Sequence, residues 1–129
     1  MANFSSSPLP VLTRYTAKVE AFTKALEPIK SLKHVKEVRQ RGLIVGIELE
    51  KNVATHEAYR PNDAVGAKVA ILAREQGLIC RPIGDVVILM PPLASTVEQL
   101  EDMVRIVGES IQRATEEEGI LEDMRPIIL

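Results

Sequence analysis

The sequence predicts a single α+β domain, a small and mostly antiparallel sheet with helices packed on one face. Three observations predict it. Apolar residues recur at spacings of three and four in three separate segments, which is the buried stripe of an amphipathic helix. Between these segments lie short runs of period two or of β-branched residues, which suit strands. The order of the two patterns is helix, strands, helix, two-strand hairpin, helix, the arrangement of an α+β domain.

Residues 1–8 read as a flexible lead-in ending at Pro8, and the domain itself as residues 9–115. Leu12, Tyr15, Val19, Phe22, Leu26 and Ile29 make the first stripe, with Arg14, Lys18, Lys24 and Glu27 largely away from it. Burying six such side chains contributes on the order of 10 kcal/mol before conformational entropy is charged against it. Pro28 should kink or stop this helix, because it has no amide hydrogen to donate.

The period then changes. In Gly42–Glu50, Leu43, Val45, Ile47 and Leu49 alternate with Ile44, Gly46 and Glu48, which predicts a strand. Val35–Val38 predicts a shorter one, and Gly46 inside the run suggests a bulge or a close backbone approach. Residues 51–63 read as a loop. Asn62 or Asp63 is placed to cap a second helix carrying Val65, Val69 and Leu72, which Gly77 should end.

Leu78–Arg81 and Val86–Met90 predict two short strands joined by Pro82-Ile83-Gly84-Asp85, with Pro91-Pro92 ending the second. Ser95-Thr96-Val97-Glu98 fits a capping box that opens the last helix. Val97, Leu100, Val104, Val107 and Ile111 form that helix's stripe. An acidic run, Glu116–Glu118, and the apolar Ile127–Leu129 make up a tail over 116–129, and no internal repeat is present.

Composition narrows the function classes. A length of 129 residues suits one domain. The 46% hydrophobic content is too high for a disordered, highly charged chain. Lys and Arg total 16 against 18 Asp and Glu, a balance without the basic footprint of a nucleic-acid binder. A lone cysteine, Cys80, excludes an internal disulfide framework and suits a reducing cytoplasm. No apolar run approaches the roughly 18 residues of a membrane span, and the opening residues lack the pattern of a signal peptide. These features predict a cytoplasmic domain that binds neither nucleic acid nor membrane.

Catalytic signatures are sparse. His34 and His56 have no partner at metal-ligand spacing and read as surface residues. There is no dinucleotide-binding fingerprint, phosphate-binding loop or nucleophile elbow. Cys80 reads as a small buried hydrophobe whose neighbour Arg81 could lower its pKa. The acidic run at 116–118 reads as a solvated helix end.

Arg81 stands out because a rigid hairpin would hold its Cα while the guanidinium projects from the end of the sheet. Such a planar fork suits bidentate recognition of a carboxylate. The plainer alternative is a surface arginine near a turn, paired with Asp85 or with nothing.

A resemblance adds to this reading. Arg81-Pro-Ile-Gly-Asp-Val-Val-Ile-Leu-Met-Pro-Pro-Leu93 resembles the C-terminal hairpin of the class III, fold type I, pyridoxal-phosphate aminotransferases. Val38–Leu49 is similar to that family's V-R-G-x-G-L-x-x-G-I-E-L segment. Glu57-Ala-Tyr59, Val65–Val69, Ala73–Leu78 and the helix opening at Ser95 follow in the family's order, so the likeness spans about residues 10 to 115. The hairpin run is nearest the family's biotin-pathway branch, and the omega-amino acid transaminases share much of it.

The resemblance implies a small C-terminal domain in which Arg81 binds a substrate carboxylate and Pro82 and Gly84 support the hairpin. It places pyridoxal phosphate and the Schiff-base lysine on a separate large domain. Lys18, Lys24, Lys30, Lys33, Lys36, Lys51 and Lys68 fall outside the family's cofactor context, so no cofactor, metal or catalytic residue is expected in this chain alone. Two departures are visible: Gln40 and Arg41 alter the family's V-R-G turn, and Ile88 stands where some biotin-pathway members carry tyrosine.

The sequence is thus expected to be a substrate-recognition lobe, a fragment or truncated form, not catalytic alone. Its expected partners are a large cofactor domain, a homodimer mate and a small carboxylate-bearing amine or keto substrate. A free-standing regulatory or small-ligand module, and a self-associating fragment without activity, remain the alternatives.

Overall fold

The computed structural model describes residues 8–60 and 63–116, with side chains over 13–60 and 63–115. The lead-in before Pro8, Asn62, and the tail from 117 onward lie outside the described residues. The elements are α1 (Pro8–Lys30), β1 (Val35–Arg41), β2 (Ile44–Leu49), α2 (Val65–Glu75), β3 (Arg81–Ile83), β4 (Val86–Leu89) and α3 (Val97–Glu116). All strand pairings are antiparallel, in the order β1-β2-β4-β3. The fold is α+β, as the sequence predicts.

One face of the sheet is buried. Val45 pairs with Leu89 and Ile47 with Val87, and all four side chains are buried with Leu49 beneath the helices. α1 lies against β1, α2 lies against β3 and β4, and α3 packs across both other helices. The opposite face carries Ile44, Gly46, Glu48, Val86 and Ile88 and stays partly open.

Several expectations are corrected. α1 runs through Pro28 to Lys30. Pro28 is exposed near the end of the helix, where the carbonyl it leaves without a donor can reach water. Of the stripe's described side chains, Phe22, Leu26 and Ile29 are buried, and Tyr15 is 39% exposed. The side chain of Leu12 lies outside the described residues.

The first hairpin is longer than predicted on one arm. Gly42, at φ +62°, begins a two-residue turn between Arg41 and Ile44, so β1 extends to Arg41 and β2 starts at Ile44. Gly46 makes no bulge. It pairs in register with Arg39 and Ile88, and an added Cβ would meet Val86 Cγ1 at an ordinary 3.6 Å. The irregularity falls between Val35 and Glu37, making Lys36 the extra residue. Its ammonium then reaches Glu48 at 3.7 Å and the buried Glu50 at 3.6 Å.

Both predicted N-caps move. α2 starts from Ala64, which adopts a left-handed φ of 47° and makes no side-chain cap. The Asp63 carboxylate instead accepts the Arg60 amide at 3.0 Å, so it is committed to the preceding turn. At α3 the reciprocal cap belongs to Thr96 and Gln99, one residue later than predicted. The Gln99 amide donates to Thr96 Oγ1 at 3.1 Å, and the Thr96 amide donates to Gln99 Oε1 at 2.9 Å. Val97 consequently faces outward at 36% exposure, while Leu100, Val104, Val107 and Ile111 are buried. Gly77 ends α2 as predicted. At φ +88° it donates to the Arg74 carbonyl while Leu78 donates to that of Ala73, a Schellman closure.

Among the described residues, no helix is long and apolar enough to cross a membrane.

Candidate functional site

The second hairpin builds the site. Arg81 pairs with Ile88, Pro82 with Val87 and Ile83 with Val86, leaving Gly84 and Asp85 as a two-residue turn. Gly84 has φ +58°, the left-handed angle that such turns require. Pro82 therefore lies within β3, not in the connection, and it is tolerated because β3 is an edge strand.

Leu78, Ile79 and Cys80 do not join the strand. The β3–β4 pairing stops at Arg81 and Ile88. The two arms therefore part at Arg81, and a groove of about 680 Å³ opens between residues 77–82 and 88–92, closed at one side by Met103. Arg81 is at the vertex of this fork and is the single charged residue in the groove's lining. Its apolar walls include the strongly exposed Ile79 (79%) and Met90 (57%).

Arg81 is exposed, and among the described residues no hydrogen bond or ion pair engages its guanidinium. Asp85, the plainer partner, does not hold it. Burial first, then the charges of Glu48 and Asp63, push the Asp85 carboxyl above the ordinary range. The other arginine in the same cross-strand row, Arg39, is already committed to Glu37 at 3.6 Å and Glu48 at 3.5 Å.

Cys80 lies in the groove as a buried free thiol. Burial raises its pKa, and the smaller opposing effect comes from Arg74, not from Arg81 as the sequence suggested. The histidines stay apart. His34 is half-buried, and its Nδ1 donates to the Lys51 carbonyl at 2.9 Å. The exposed His56 approaches Glu50 at 3.6 Å. Among the described residues no group of His, Cys, Asp or Glu could hold a metal. The acidic run after Glu116 lies outside the described residues.

Pyridoxal phosphate, which the resemblance implies, does not fit this groove. Its lining offers neither a lysine to bond the aldehyde nor a carboxylate for the pyridine nitrogen. The buried Lys68 sits on α2 and is not part of the lining.

Sequence reasoning missed three residues near the hairpin. Tyr59 has a buried hydroxyl without a partner among the described residues, and its pKa is pushed up to about 12 by burial and by Asp85 and Asp63. Glu50 is buried with one oxygen lacking a hydrogen bond. Gly66, in the first turn of α2, meets the hairpin turn itself. A glycine so early in a predicted helix was the available signal, since it costs about 1 kcal/mol against alanine unless packing requires it.

Comparison with known proteins adds the following. A family model described as aminotransferase class-III matches residues 8–111. The chain is similar to the adenosylmethionine-8-amino-7-oxononanoate aminotransferase of Anoxybacillus flavithermus, with 43% identity over 102 residues, 79% of this chain and 22% of that protein. It is also similar to the enzyme of that name from Nitratidesulfovibrio vulgaris, with 40% identity over 84% of this chain and 20% of that protein. Among solved structures, the adenosylmethionine-8-amino-7-oxononanoate aminotransferase of Methanocaldococcus jannaschii superposes with a TM-score of 0.78 at 36% identity. That match covers 87% of this chain and 25% of the other. The chain thus spans about a fifth to a quarter of the length of these relatives.

Proposed function

The chain belongs to the class-III aminotransferase family, and on that premise we propose that residues 9–115 form the carboxylate-recognition lobe of a pyridoxal-phosphate-dependent transaminase. The observation that carries the reading is Arg81, a guanidinium without a partner among the described residues, at the vertex of an otherwise apolar groove. Its fork would donate charge-assisted hydrogen bonds to both oxygens of a substrate carboxylate. Ile79, Ile88 and Met90 would shelter the adjoining carbon chain. Pro82 and Gly84 hold the support, one by fixing an edge-strand φ and the other by turning the chain.

The substrate class follows from that pairing of groups: a carboxylate-bearing amine or keto compound with an aliphatic body. The biotin-pathway transaminase named by the relatives above is the preferred match, and an omega-amino acid transaminase is the neighbouring one. Pyridoxal phosphate, when bound in a complete enzyme, supplies the electron sink for amino transfer. The lysine and acid it needs would come from a separate large lobe. The exposed Ile79 and the 69% exposed Leu93 suit contact with that lobe or with a dimer mate.

The test is a titration of the 129-residue chain with hexanoate and with 1-hexanol, followed by amide chemical shifts. Hexanoate should bind more tightly, with shifts centred on Arg81, Ile88 and Met90. Equal affinity for both, or shifts centred elsewhere, would overturn the proposal. The same exposed apolar rim favours self-association of the chain by itself, which light scattering against concentration measures directly.

A further inference from the structure

Arg81 can serve as a reader only if β3 is held at a set tilt, and the described contacts show what holds it. β3 is an edge strand of three residues, bonded on one side to β4 alone. Its outer support is α2, which packs against both β3 and β4. One point of that packing is Gly66, the second residue of α2. A Cβ built there would overlap the Gly84 carbonyl oxygen and stand 3.4 Å from Pro82 Cβ. The obstacle is backbone, so no rotamer change can make room for it.

The start of α2 is also set in an unusual way. Ala64 takes a left-handed φ of 47° without a side-chain cap, a conformation that costs an L-residue about 1 kcal/mol or more. The strained entry delivers a residue without a side chain to a place where the hairpin turn approaches the helix backbone. Nothing in helix formation itself asks for glycine there. Gly108, the other glycine within a helix, meets only the flexible end of Ile29, so the backbone-to-backbone approach is particular to Gly66.

We infer that Gly66 is a positioning residue for carboxylate recognition: its missing side chain seats the Gly84 turn on α2 and thereby sets where Arg81 presents its guanidinium. The inference rests on the carboxylate reading for its functional half, while its geometric half stands apart from that reading. A methyl at Gly66 must push the turn away from α2. The short β3 then pivots about its bonds to β4, and Arg81, two residues before the turn-flanking Ile83, moves with it.

The experiment compares the chain with its Gly66→Ala variant by two measurements. Amide residual dipolar couplings report the orientation of Arg81–Ile83 relative to β1 and β2, with or without any ligand. They should change in β3 and stay constant in β1 and β2. Titration with hexanoate and 1-hexanol reports function. Affinity for hexanoate should fall about ten-fold, since small misplacement removes most of a directional charged contact, while affinity for 1-hexanol should stay within about two-fold because the groove's apolar walls remain.

Unchanged couplings in β3 would overturn the inference, and so would equal losses for the two probes. If the unsubstituted chain distinguishes neither probe, the carboxylate reading falls, and the couplings still decide the geometric half. Should Gly66→Ala fail to fold, the unsubstituted chain tests the seat: the Gly66 Hα protons should show nuclear Overhauser contacts to Pro82 Hβ, since a Cβ built at Gly66 would stand 3.4 Å from Pro82 Cβ. Absence of those contacts would equally refute the seat.

Discussion

Replacing Arg81 by glutamine removes the charge and the five-donor fork while keeping a polar group of moderate length. The loss follows from the residue's setting. Hydrogen bonds to charged groups contribute about 1.5–3 kcal/mol net, and screening by water moves an exposed pair toward the lower figure. Arg81 is exposed at the groove's mouth, so about 1.5 kcal/mol applies, or roughly a ten-fold weaker dissociation constant for hexanoate. Affinity for 1-hexanol should change by less than about two-fold, since its contacts are with Ile79, Ile88 and Met90. Arg81→Lys should recover part of the loss because it keeps the point charge and forfeits the planar fork. Raising ionic strength from about 0.01 M to 0.1 M shortens the screening length from about 30 Å to 10 Å, so hexanoate affinity should fall and that of hexanol should not. In a complete transaminase carrying this segment, a covering lobe would exclude water and the cost in kcat/KM should rise to about 2–5 kcal/mol for carboxylate substrates. Parallel losses for carboxylates and carboxylate-free amines, or an affinity for hexanoate indifferent to salt, would refute the assignment.

Three further outcomes test the frame around the site. Tyr59→Phe deletes a buried hydroxyl that has no partner among the described residues, and should stabilise the chain by about 0.5–1 kcal/mol in urea unfolding at pH 7. Because the folded Tyr59 pKa, at about 12, lies above its ordinary value, its contribution is intact below pH 10 and is lost as pH rises through that interval; the variant should flatten the alkaline limb of the stability profile. Thr96→Ala should cost about 1 kcal/mol by removing the α3 cap, whereas Glu98→Ala should cost only a few tenths, the reverse of what a Ser95–Glu98 box would give. Ala64→Gly relieves a left-handed φ worth about 1–2 kcal/mol and returns about 0.4–1 kcal/mol of unfolded-state entropy, so a net gain of about 0.5–1 kcal/mol should appear in the urea midpoint.

The element types were legible because each has a local cause. Period two in Leu43, Val45, Ile47 and Leu49 needs no knowledge of distant partners to mark a buried strand face, and all four are buried. The element ends were less legible because competing local signals overlap there. Ser95-Thr96-Val97-Glu98-Gln99 contains two capping boxes one residue apart. The structure selects the later one, in which Ser95 is buried and its amide donates to Pro92. Likewise Asp63 is a sound cap by type, but the Arg60 amide claims its carboxylate first. The bulge at Lys36 was invisible for a different reason. It is set by the register against Glu48 and Leu49, which are far along the chain, and it leaves the Lys36 ammonium beside Glu48 and the buried Glu50.

The candidate site shows the same division more sharply. Arg81 and the glycine of its turn could be named from the hairpin run, but the groove beside them depends on which residues fail to pair. Leu78-Ile79-Cys80 is a good strand sequence by propensity. It stays unpaired in the structure, where the β3–β4 ladder ends at Arg81 and Ile88, and nothing in its own composition marks that end. The apolar segment that a strand would have covered is left lining a fork, with a cation where the arms separate. The Ile79 amide, which a longer ladder would bond to Met90, should therefore exchange with solvent faster than the Arg81 and Ile83 amides that β4 protects. Equal protection at Ile79 and Arg81 would show that the ladder runs on and the arms do not part.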